Sequence, residues 1–198
     1  MRYYPFKNLI TEFSETDIDI EGVREPLTAA EISLFMLAAN QIKTNDVSQK
    51  ILSVGNNSVF VPLLIWRILG SPVNPFHEFF LHNLWNESDL IHIKNLLSIN
   101  QYPFVLRNGH VENTLKSYPV GQIGLVWYKS PDTPNTEEET YNTVFREVTL
   151  IKAGLNPNNF VFLSQPSTES TRRAIEDVFL GYRLKRFEKS PRMLLVLS

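Results

Sequence analysis

Among the side chains able to do chemistry, Asp132 stands between the prolines of Ser130-Pro-Asp-Thr-Pro134. A carboxylate there can orient an acceptor nucleophile. The same residues are also good turn chemistry, with proline presetting φ and aspartate bonding its own backbone, and the turn is the favoured reading. His110, in Asn108-Gly-His110, lies in a loop at a strand end, where an imidazole can act as a base near neutral pH; a solvent-facing or capping role is the simpler one. The remaining histidines are His77, His82 and His92. The odd spacing from His77 to His82 would point the two to opposite faces of a strand, so no metal site is expected. Gly55-Asn-Asn-Ser58 closes the apolar run that begins at Lys50. Such a turn is either a ligand loop at a strand's carboxyl end or a plain strand-to-helix turn capped by Asn57 or Ser58.

These residues need a scaffold, and the sequence spells one out. Residues 1–27 read as an aromatic, then acidic, arm, and residues 28–198 as one domain. Thr28-Ala-Ala-Glu31 is a capping box opening a helix with Ile32, Phe35, Met36, Ala39 and Ile42 on one face. Lys50–Val54, the region of Phe79-Phe-Leu81, Pro103–Leu106, Gln122–Tyr128 and Asn159–Leu163 read as strands. Helices are expected over Val59–Leu69, from Asn86, from Thr136 to Gly154, and after a Ser167 cap. Strands alternating with helices predict a mostly parallel sheet, because parallel neighbours need a helical crossover. Tyr182–Phe187 and Met193–Leu197 have no helix between them and are expected to pair antiparallel. The fold class is therefore α/β, a three-layer sandwich on a mostly parallel twisted sheet with a C-terminal antiparallel hairpin strand.

Composition bounds the function. A chain of 198 residues that is 43% hydrophobic suits one core. A formal charge of -2 gives no overall basic field, so no strong nucleic-acid signal is present. Arg183 and Lys185 alternate with Arg186 along one strand, which divides the basic C-terminal residues between two faces. With no cysteine, disulfides and thiolate chemistry are excluded. No stretch approaches the roughly 20 apolar residues of a membrane span and the start has no signal-like apolar region, so a cytoplasmic protein is expected.

A parallel sheet finished by an antiparallel strand resembles the class I S-adenosylmethionine-dependent methyltransferases, whose seventh strand lies antiparallel beside the fifth. The resemblance spans about residues 28 to 198. Lys50-Ile-Leu-Ser-Val-Gly-Asn-Asn-Ser-Val-Phe60 is similar to that family's first motif, a strand ending in an acid that runs into a glycine-rich turn and a helix. Ser53 stands in the place of the acid, and Asn57 and Val59 where glycines are usual. The resemblance places Ser53, Gly55, Asn56, Asn57 and Ser58 around the methionine part of S-adenosylmethionine. It places Asn83 at the ribose and His110, in the acid's position after the third strand, near the adenine. Ser130 and Asp132 fall where many amino-group methyltransferases grip the acceptor nitrogen. What the resemblance implies is methyl transfer to an unidentified acceptor. The joint change at Ser53, Asn83 and His110 equally suits a catalytically inactive member that binds or scaffolds, with a protein partner or a second copy of the chain.

Overall fold

The computed structural model describes residues 49–55, 77–83, 86–99, 104–115, 120–129, 136–187 and 193–198. The arm at 1–27, the capping box at Thr28 and the helix expected over Val59–Leu69 lie outside the described residues.

Strands β1 (Gln49–Val54), β2 (His77–Asn83), β3 (Phe104–Asn108), β4 (Ile123–Lys129), β5 (Val161–Gln165), β6 (Arg183–Phe187) and β7 (Met193–Leu197) form a seven-stranded sheet in the order β3-β2-β1-β4-β5-β7-β6. Pairing is parallel from β3 through β5, and β7 lies antiparallel between β5 and β6. Four helices are described: α1 (Glu87–Ile99), α2 (Val111–Thr114), α3 (Glu137–Gly154) and α4 (Glu169–Val178). The sequence reading of the alternation and of the final hairpin holds.

The helices start where local chemistry supplies partners for free amides. Asn86 Oδ1 accepts from the Asp89 amide at 2.8 Å, and an acid in that first turn suits the positive end of the helix dipole. At α3 the Thr136 hydroxyl accepts from the Glu139 amide at 3.2 Å while Glu139 Oε2 accepts from the Thr136 amide at 3.0 Å. The two bonds from Thr136, backbone first, hold the Glu139 carboxyl below its usual range. The cap of α4 differs from expectation. Thr168, one residue past Ser167, takes the extended conformation, and its hydroxyl accepts from the Thr171 amide at 3.1 Å. Lys152 of α3 closes the other end of α4 by donating to the Val178 carbonyl at 2.6 Å, with its ammonium 5.0 Å from the Tyr182 ring centroid.

Period-two alternation sorts the sheet's side chains. Leu52, Val54, Val126, Tyr128, Phe162, Leu194 and Val196 face one way and pack with Val144, Val148 and Ile151 of α3 and Ala174, Ile175 and Val178 of α4. Val111 and Leu115 bring α2 into the same cluster. On the other face Ile51, Leu125, Trp127, Val161, Leu163 and Leu195 are buried as well. A sheet buried on both faces accounts for strands that read as continuous apolar runs.

Candidate functional site

The chain leaves β1 towards β2 on one side and leaves β4 towards β5 on the other, so strand order reverses between two strands that are themselves neighbours. Open parallel sheets bind ligands at the carboxyl ends of such a pair. At that edge Gly55 follows β1 with φ +75, and a Cβ built on it would lie 1.8 Å from the Lys129 carbonyl oxygen at the end of β4. Only glycine fits this approach, so the first glycine of the turn is required by backbone geometry.

Ser53 is buried, at 5% exposure, on the face opposite Leu52 and Val54, and its hydroxyl has no hydrogen-bond partner among the described residues. It pairs in register with Leu81 of β2 and Trp127 of β4. Asn83 ends β2 in register with Asn108, which ends β3. Gly109 and His110 follow directly, and His110 is exposed at the N-cap position of α2 without making a capping bond through its ring. Ser53, Gly55, Asn83 and His110 therefore stand at or next to the carboxyl ends of β1, β2 and β3. Asn56, Asn57, Ser58, Ser130 and Asp132 lie outside the described residues. Among the described residues no group of His, Asp and Glu is placed to hold a metal ion, and no helix is long and apolar enough to cross a membrane.

One feature of this edge escaped sequence reasoning. Tyr128, near the end of β4, is fully buried and donates from its hydroxyl to Glu147 Oε2 of α3 at 2.7 Å. Burial pushes the Glu147 carboxyl up, and Glu112 adds to the rise; the Tyr128 bond and the positive charges of His110 and Arg146 pull it back. Arg146 meets Glu112 of α2 at 3.2 Å. A carboxyl raised in the folded state adds stability below its unfolded pKa and loses it as pH rises through the folded pKa. The stability gap between Glu147→Gln and the native chain should therefore move in the variant's favour as pH climbs above the ordinary carboxylate range. Urea midpoints of both proteins from pH 4 to 8 measure this, and parallel curves would contradict it.

No family model matches the chain, and no curated protein matches it in sequence. Solved structures do match in shape. A methyltransferase from Geobacter sulfurreducens superposes with a TM-score of 0.59 at 12% identity, over 100% of this chain and 91% of its own. The precorrin-6Y C5,15-methyltransferase of Geobacter metallireducens gives 0.59 at 14%, over 91% of this chain and 94% of its own.

The chain has the class I methyltransferase fold.

TrmN from Thermus thermophilus shares it with a TM-score of 0.61 at 14% identity, over 89% of this chain and 49% of that one, so the chain spans about half of TrmN. In this methyltransferase-like sheet, β7 lies between β5 and β6, where the fold has its reversed strand. Gly55 occupies the first turn of the fold, and His110 the loop after its third strand.

Proposed function

We propose that the chain binds S-adenosylmethionine at the carboxyl edge of β1 to β4 and transfers its methyl group to an acceptor held beside β4. The observation that carries this reading is the approach of Gly55 to the Lys129 carbonyl, with φ +75, at the strand-order reversal. That geometry draws the backbone ends of β1 and β4 together at the edge where open parallel sheets bind ligands. The surrounding residues are chemically suited to the polar groups of the cofactor's methionine, ribose and adenine parts. Ser53 offers a buried hydroxyl without a partner among the described residues, and His110 an exposed ring. Asn83 and Asn108, in register, add amide-bearing residues to the same edge.

In this reading Ser53, Gly55, Asn56, Asn57 and Ser58 hold the methionine part, Asn83 the ribose and His110 the adenine side. When bound, S-adenosylmethionine supplies a methyl group on a sulfonium, open to in-line displacement by an acceptor lone pair. Ser130 and Asp132 orient that lone pair, and the Asp132 carboxylate takes the acceptor's proton. Alignment and proton removal are most of what the protein must provide, so a small catalytic set suffices.

A second reading follows from the residues at the family's acidic positions. Ser53, Asn83 and His110 replace them, so the charge-assisted contact to the ribose is lost and the fold serves as a binding or scaffolding subunit. Calorimetric titration with S-adenosylmethionine and S-adenosylhomocysteine separates the two. Saturable micromolar binding is expected. Ligand at about a hundred times Kd should then stabilise the fold by about 2.7 kcal/mol, seen as a raised Tm. No heat and no thermal shift at millimolar ligand would transfer the reading to the scaffold.

A further inference from the structure

The pairing of β1 with β4 ends at Val54 and Tyr128, one residue short of Gly55 and Lys129. Gly55 nevertheless meets the Lys129 carbonyl oxygen so closely that a Cβ would stand 1.8 Å from it. The hydrogen in that Cβ's place therefore points at the oxygen, a weak Cα–H···O bond made beyond the ladder of the two strands. Its geometry depends on where the end of β4 is held. One hold is β5, where Gln165 pairs in register with Lys129. The other comes from the helix layer. Tyr128 is fully buried, its ring centroid lies 6.0 Å from that of Phe162, and its hydroxyl donates to Glu147 Oε2 at 2.7 Å. Val144, Val148 and Ile151 bury α3 in the core on either side of Glu147, so the accepting oxygen is presented by a packed helix. A buried hydroxyl is costly to leave without such an acceptor, which ties the side chain of Tyr128 to one position.

We propose that Tyr128 and Glu147 are a positioning pair for the first turn of the ligand edge, their bond holding the carboxyl end of β4 where the Lys129 carbonyl meets Gly55. Neither side chain need touch a ligand. The pair acts through the backbone, from α3 to Tyr128, on to Lys129 and across to Gly55. A shift of the β4 end would loosen the close approach at Gly55, and with it the start of the turn that follows β1. Sites keep their geometry when the elements that carry them are locked by packing and hydrogen bonds from outside the site. The inference rests on the reading of this edge as a cofactor site.

Both arms of the test use the full chain. In the first, the affinity of S-adenosylhomocysteine is measured for Tyr128→Phe, Glu147→Met, Glu147→Gln and the combined Tyr128→Phe and Glu147→Met. Tyr128→Phe and Glu147→Met should each weaken binding by about tenfold, the size of one lost hydrogen bond. Glu147→Gln keeps an acceptor oxygen and should recover most of what Glu147→Met loses. The double variant should bind no more weakly than the weaker single one, because both remove the same bond. Ile175→Val, which trims a buried core residue on α4, gives the effect of lowered stability alone and should leave the affinity in place. A loss in Ile175→Val as large as in Tyr128→Phe, or no loss in Tyr128→Phe, would overturn the proposal. The second arm is proton NMR without ligand. A proton held against a carbonyl oxygen is deshielded, so one Gly55 Hα should resonate downfield in the native chain. It should move upfield in Tyr128→Phe and Glu147→Met, while the Gly181 Hα pair stays in place. Unmoved Gly55 resonances would overturn the proposal. Should the native chain fail to bind S-adenosylhomocysteine at all, the cofactor reading falls while this second arm still decides whether the pair positions Gly55.

Discussion

Gly55→Ala is expected to destabilise the fold by about 2–5 kcal/mol and to abolish binding at the sheet edge. Two costs combine. A β-carbon at φ +75 adopts the left-handed region at about 1–2 kcal/mol. The same carbon would sit 1.8 Å from the Lys129 carbonyl oxygen, a backbone atom that no rotamer change can move, and overpacking of this kind adds about 1–3 kcal/mol. Gly181→Ala separates the two terms. Gly181 also has positive φ, at +92, yet among the described residues nothing lies within 4 Å of its would-be Cβ, so its substitution should cost strain alone. Urea unfolding of both variants gives the comparison, and equal losses would mean that β1 and β4 yield freely at their carboxyl ends.

Phe162→Ala is the other large expected effect, at about 3–5 kcal/mol. Phe162 is fully buried near the start of β5, its ring centroid 4.9 Å from Phe179 after α4 and 6.0 Å from Tyr128 of β4. The residue thus joins the sheet to the helix layer at the point where the Tyr128 hydroxyl is aimed at Glu147. Against a total stability of about 5–15 kcal/mol, such a loss leaves a marginal fold. A denaturant midpoint shift worth less than about 1 kcal/mol would contradict the packing described for this cluster.

The expectations that succeeded rest on short-range chemistry. Thr136 and Glu139 exchange bonds across one helical turn, and Gly154 ends the same helix, so both ends of α3 are written within a few residues of where they occur. Met193–Leu197 matches its apolar run residue for residue, because a strand buried on both faces is bounded only by where apolar character stops. The Ser167 cap failed for an equally local reason. Two hydroxyl residues adjoin, and the choice between them falls to the backbone conformation, which is extended at Thr168.

The site was less legible because its decisive relations are long-range. Tyr128 and Glu147 are joined across α3 and β4, and neither side chain sits in a recognisable motif. The need for glycine at position 55 comes from Lys129, a residue distant in sequence that only sheet pairing brings alongside. His110 could be singled out from its place after a strand, but its neighbours Glu147 and Arg146 come from another helix. Ser130 and Asp132 remain assigned by resemblance.

The position of β7 bears on how the molecule is made. The strand formed by Met193–Leu197 lies inside the sheet, with β5 on one side and β6 on the other, and pairs Val161 with Leu197. During synthesis the ribosome delivers both β5 and β6 before the strand that must separate them. Until Leu197 emerges, β5 keeps an open edge whose apolar residues invite pairing with another chain. Completion of the sheet therefore waits for β7, and the nascent protein passes through a stage in which premature contact between β5 and β6 must be avoided or undone.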